Sequence, residues 1–160
     1  MTNSRDFSAD ANGGWRNHYE RVLRWSRRAV ERCNDDSLEA QAEVVDFSLA
    51  FFLWCYSLRD WLKKTGEASD AELERFSKAS SYWKYCRDIT LRAKHYDASS
   101  PAIDNDYGIS RELDPFQEVL GTRAIIWNVW IDGKKIALED VIIGLTKDWE
   151  AFLKPKLSKQ

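Results

Sequence analysis

The side chains best suited to chemistry fall in two stretches. In CRDITLRAKHY, residues 86–96, Arg87 and Asp88 precede His95 by eight and seven positions. On a helix turning 100° per residue, Asp88 and His95 lie within about 20° of one another, and Arg92 falls between them. Arg87 is rotated by about 80° from His95 and reaches the same place only if the helix is distorted or its side chain wraps. Lys84 stands one turn before Asp88, and Arg59-Asp60 form a second charged pair upstream. An imidazole titrates near neutral pH and can move protons, while a guanidinium holds phosphate oxygens two at a time. The same residues have a plainer reading. Asp88 and Arg92 have the spacing of an i, i+4 salt bridge worth a few tenths of a kcal/mol. A histidine at a helix end suits the negative pole of the dipole.

The chain that must position them is organised around residues 43–62, EVVDFSLAFFLWCYSLRDWL. Val44, Ser48, Phe51, Cys55, Leu58 and Leu62 make one helical stripe, and Phe47, Trp54 and Trp61 make a second beside it. A helix apolar on nearly every side is central in a bundle or crosses a membrane. This apolar run is shorter than the roughly 20 residues that a bilayer core requires, so a central bundle helix is predicted and no membrane span.

Other helices are predicted around it. Over 15–34, Trp15, Tyr19, Val22, Ser26, Ala29 and Cys33 form an inner face. On another face Arg21, Arg24, Arg28 and Arg32 stack, either as a flank paired with acids such as Glu20 and Glu31 or as a phosphate-tracking strip. Asn34 to Ser37 break the pattern and cap the central helix, which makes the two helices antiparallel neighbours. Ser69 and Asp70 start a shorter helix that runs into a bend at the serines of 77–81. A further helix follows over 82–96, with Tyr82, Cys86, Ile89, Ala93 and Tyr96 inward. Residues 97–118 read as an irregular connection with a short strand near 107–111.

Then the period changes to two. Arg123, Ile125, Trp127, Val129 and Ile131 alternate with Ala124, Ile126, Asn128 and Trp130, and Asp132-Gly133 signals a hairpin turn. A lone hairpin is marginal in water, so it must pack on the helices or gain a third strand. The last helix presents Leu138, Val141, Ile142, Leu145, Trp149 and Phe152 on one face and ends at Lys154-Pro155. The expected fold class is mainly α: an antiparallel helical bundle with a C-terminal β-hairpin near 121–138 and a final helix. It forms one domain over 15–160, after a flexible tail at 1–14.

A formal net charge of −2 gives no global field toward nucleic acid or anionic lipid. Two histidines and three cysteines without C-x-x-C spacing argue against a structural zinc site, and no metal or other cofactor is expected. An odd cysteine count and no apolar leader point to free thiols in a reducing, cytoplasmic setting. Eight Trp, seven Phe and six Tyr exceed what one small core needs, which places some at a subunit interface or pocket.

Arg87-Asp88, six intervening residues and His95 resemble the signature of the HEPN superfamily, which consists of small helical-bundle proteins of bacterial toxin–antitoxin and antiviral systems. Arg59-Asp60-Trp61 closing an aromatic helix, with a later Cys-x-Asp and Lys-His, is also similar to small bacterial proteins without assigned function. The resemblance covers roughly residues 40–96. It implies a metal-independent endoribonuclease in which the RNA 2′-hydroxyl attacks the adjacent phosphate. His95 would be the general acid or base, Arg87 the phosphate holder and Asp88 the orienting group. Arg92, Lys84 and Arg59 would bind substrate. The implied partners are a second copy forming a shared cleft, RNA, and an antitoxin or nucleotidyltransferase. A different class remains open: a non-catalytic dimeric binding or assembly module in which Arg87, Asp88 and His95 are a structural cluster. A small-molecule site between Trp-rich helices is a third reading.

Overall fold

Two long helices laid side by side set the frame of the computed structural model, which describes residues 14–94, 108–131 and 133–158. Helix α1 spans Gly14–Cys33 and α2 spans Leu38–Lys64. The predicted inner face of α1 is buried, and His18 joins it. Ser37 caps α2 by accepting from the Ala40 N–H, which lets the helix begin earlier than its apolar run suggests.

The predicted stripe of α2, from Val44 to Leu62, is buried. Phe47, Trp54 and Trp61 lie half-buried under α1: Trp25 meets Phe47 edge-on at 5.5 Å, and His18 sits 5.0 Å from Trp54 and 4.8 Å from Trp61. The opposite flank meets the helix α4, Trp83–Lys94. There Cys86 Sγ donates to the Phe52 carbonyl and Tyr56 stacks on Trp83. The helix is nevertheless not enclosed all round. Leu53 is 40% exposed, and Ala42, Asp46 and Asp60 share its outward side.

Helix α3, Asp70–Ala79, opens with a reciprocal capping box between Ser69 and Glu72. The predicted bend follows. Ser80 accepts from the Tyr82 and Trp83 N–H groups and donates to Asp148, so one hydroxyl starts α4 and ties it to the last helix. On α4 the predicted stripe needs correction. Cys86 and Ile89 are buried, but Ala93 is exposed, while Tyr85, Asp88 and Thr90 are interior. A helix packed on two neighbours buries a wider arc than one stripe. Tyr96 lies outside the described residues.

Strands β1 (Gly108–Leu113), β2 (Ile125–Ile131) and β3 (Lys134–Ala137) form an antiparallel sheet in that order. The hairpin thus has the third strand that its stability requires. Ile109, Val129 and Ile136 pair across it as one apolar row. Gly133 holds φ +67° in the turn, a conformation that favours glycine. Part of the expected irregular connection is a short helix α5, Pro115–Val119. Asp114 accepts from the Phe116 and Gln117 N–H groups, and Pro115 sits where a missing donor costs nothing.

Helix α6, Leu138–Leu157, begins where β3 ends. It continues past its expected stop because Pro155 lies in the last turn, where little of the hydrogen-bond ladder remains to be lost. Arg16 also donates to the Lys156 and Leu157 carbonyls, giving the helix end partners from α1. Trp149 is fully buried, 4.0 Å from Phe76 and 5.9 Å from Trp83 between ring centroids. Of the eight tryptophans, Trp15, Trp83, Trp127 and Trp149 are buried, and Trp25, Trp54, Trp61 and Trp130 are half-buried.

His18 supplies a pH test of this packing. Its Nε2–H donates to the Trp54 carbonyl at 3.1 Å. Burial lowers its pKa below 6.5; the Trp54 carbonyl opposes that shift, and Arg21 nearby adds to it. The unfolded chain therefore takes up this proton at a higher pH than the folded one. The stability that follows is complete above pH 6.5 and is lost as pH falls through that value toward the folded pKa. Urea midpoints should drop between about pH 7.5 and 5.5, and His18→Gln should flatten that slope. An equal slope in both proteins would show that the imidazole is not held neutral.

Candidate functional site

Helix α4 holds most of the predicted site residues, and the fold buries one of them and exposes three. Lys84, Arg87 and Arg92 are exposed, whereas Asp88 is 6% exposed. The carboxylate expected to share an outward face with Arg92 is thus withdrawn from it, and the surface of the helix is cationic over about 12 Å between Lys84 and Arg92. Lys84 Nζ lies 5.2 Å from the Tyr85 ring centroid, within cation–π range. His95 lies outside the described residues.

Within one chain Arg59 lies beyond the Lys84 end of this row. Phe52 faces Cys86 and Tyr56 faces Trp83, so α2 and α4 run antiparallel. That register puts Asp88 level with Ala50, about 13 Å along the axis from Arg59. Arg59 is half-buried, and its Nε is shielded from solvent with no hydrogen-bond partner.

Two grooves border α4. One, of about 690 Å³, lies between α4, β3 and α6 and includes Tyr82, Lys84, Tyr85, Lys134, Lys147 and Asp140. Tyr82 lies so close to α6 that a methyl group at Gly144 would sit 2.2 Å from its ring. The other, of about 320 Å³, is mostly apolar, with Val45, Leu49, Ile89 and Ile109 beside Arg92. Lys134 and Lys147 are additions that the sequence did not single out. They stand some fifty and sixty positions from Lys84, so no local pattern joins the three.

A third groove, about 630 Å³ between α3 and α6, has Phe76 and Phe152 with Arg75 and Lys156. Its ions are largely committed to structure. Lys156 bonds the Glu67 carbonyl and Glu72. The Ser69 backbone N–H, followed by Lys156, holds the Glu72 carboxyl down at about 2.

Three of the four arginines on the α1 face pack on aromatic rings, and Arg24 is exposed. Arg21 lies over Trp54, Arg28 over Trp25 and Arg32 over Phe47. Arg32 pairs with Glu43 and Asp35 rather than with Glu20 or Glu31. The three cysteines are buried free thiols. Burial pushes Cys33 up to about 12, and burial beside Cys86 raises Cys55, so neither is a ready nucleophile. Among the described residues no group of His, Cys, Asp and Glu could hold a metal ion, and no helix is long and apolar enough to cross a membrane.

No protein-family model matches the chain, and no curated protein or solved structure is significantly similar to it.

Proposed function

We propose that the chain is a HEPN-like module that binds RNA through the outward surface of α4, with Lys84, Arg87 and Arg92 on phosphates. The observation that supports this reading is the split on α4: three exposed cations beside a buried Asp88. An outward carboxylate there would repel phosphate. Lys134 and Lys147 extend the cationic surface along the neighbouring groove.

Three phosphate contacts on single-stranded RNA predict a log–log salt slope of about −2, a loss of about 20-fold in affinity between about 50 and 200 mM salt. Replacing Lys84, Arg87 and Arg92 together by alanine should bring the slope near zero while urea stability is kept, because all three side chains are exposed. An unchanged slope in the variant would reject α4 as the contact surface. Absence of RNA binding by the wild type at low salt would reject the function.

A second reading, metal-independent cleavage of that RNA, is favoured by the exposure of Arg87, the arginine of the signature. It adds a proton-transfer role for His95.

A further inference from the structure

Apolar residues are left uncovered at the far end of the sheet from Gly108. Leu113, Phe116, Val119 and Leu120 are 72, 67, 85 and 58% exposed. Phe116 and Val119 lie three apart on α5, Leu120 is its C-cap, and Leu113 is the last residue of β1 just before its N-cap. The stripe has a neighbour. Asp36 accepts from the Ala124 N–H at 2.8 Å, which brings the start of α2, with Leu38 85% exposed, beside the loop that follows α5.

Acids outnumber cations around this surface. Residues 112–122 contain Glu112, Asp114 and Glu118 and no Lys or Arg. Residues 33–43 contain Asp35, Asp36, Glu39 and Glu43, also with no Lys or Arg. Arg32 pairs with Asp35 and Glu43, Lys135 with Glu112 and Arg123 with Glu139, while Arg111 keeps its charge beside the neutral Gln41; among the described residues Asp36, Glu39, Asp114 and Glu118 are the rim acids left outside these pairs. Two copies meeting through this face would bring acids against acids. The area points the same way. Side chains exposing on the order of 100 Å² each give about 400 Å², the size of the largest apolar patch on a typical monomer, which is often functional. It is about half of the roughly 800 Å² that each partner contributes to a stable protein–protein interface. A single helix or strand is the matching size.

We propose that Leu113, Phe116, Val119 and Leu120 form a docking stripe for an amphipathic segment of another protein whose apolar face is flanked by lysine or arginine. The apolar row supplies the contact area, and the acidic rim selects the charge of the segment. This surface lies outside residues 40–96 and does not depend on the RNA reading.

Cys33, Cys55 and Cys86 are buried, so Val119→Cys places a single exposed thiol in the stripe. The probe is a designed amphipathic helix with a leucine face and lysine flanks, beside a twin with glutamate flanks. The lysine peptide at saturation should slow maleimide labelling of that thiol about tenfold, as expected at about 90% occupancy. The glutamate twin should leave labelling unchanged, and Phe116→Ser with Leu120→Ser should abolish the protection. Equal protection by both peptides, none by either, or protection that survives the serine variant would overturn the proposal. Protection that appears without peptide as the protein is concentrated would replace the segment with a second copy. Slow labelling in dilute protein alone would assign the stripe to the chain itself. Either result would also overturn it.

Discussion

Replacing Trp149 by alanine is expected to lower the free energy of unfolding by about 3–5 kcal/mol. The side chain is fully buried where α3, α4 and α6 meet, with Phe76 at 4.0 Å, Phe152 at 5.8 Å and Trp83 at 5.9 Å between ring centroids. Truncation removes the area that it hides and leaves a cavity that three anchored helices cannot readily close. Ser80 bonded to Asp148 holds α6 against the α3–α4 bend, and Lys156 bonded to Glu72 holds it against the start of α3. Domains of this kind are stable by only about 5–15 kcal/mol, so the variant should be close to unfolding at body temperature. The urea midpoint should fall with an unchanged m-value. Trp149→Phe should cost much less, because the indole N–H has no hydrogen-bond partner to lose. A loss below about 1 kcal/mol for the alanine variant would mean that these helices do not close around Trp149.

His95→Ala separates the two readings of α4. If the chain cleaves RNA by internal transesterification, losing the proton-transfer group should lower turnover by about 10²–10⁴-fold. RNA affinity should persist, because phosphate contact is assigned to Lys84, Arg87 and Arg92. Products should end in a 2′,3′-cyclic phosphate, DNA should resist for lack of the hydroxyl, and a chelator should have no effect. Arg87→Ala should then lower both affinity and turnover, since a guanidinium also stabilises charge that grows on the phosphorane. Under binding alone, the wild type shows no cleavage and His95→Ala leaves the salt slope in place. Cleavage that persists without His95, or that requires a metal, would eliminate the proton-transfer assignment.

Several elements were legible because their signals are local. The inner face of α1, the buried stripe of α2, the Ser37 cap, the bend near Ser80 and the β2–β3 hairpin each follow from residues within a few positions of one another. Asp114-Pro115 also carries a local signal for a helix start, but among Asp, Asn and Gly it was read as part of an irregular connection. The end of α6 was misjudged for the reason that a proline acts on one turn alone, while Arg16, 140 positions away, supplies donors to the carbonyls beyond it.

The candidate site divides along the same line. The sequence by itself determined that Lys84, Arg87, Asp88 and Arg92 share one helix, because helical phase is set by spacing. Which of them meets solvent was decided by the tertiary structure. Asp88 lies about 40° from both Lys84 and Arg92, so helical phase does not separate it from them; only the folded structure buries Asp88 and leaves the three cations out. The separation of Arg59 came likewise from the antiparallel register of α2 on α4, and the addition of Lys134 and Lys147 from the way β3 and α6 lie beside α4. Periodicity fixes the angle of a side chain about its own helix axis; the direction of the interior is fixed only when other helices and strands arrive.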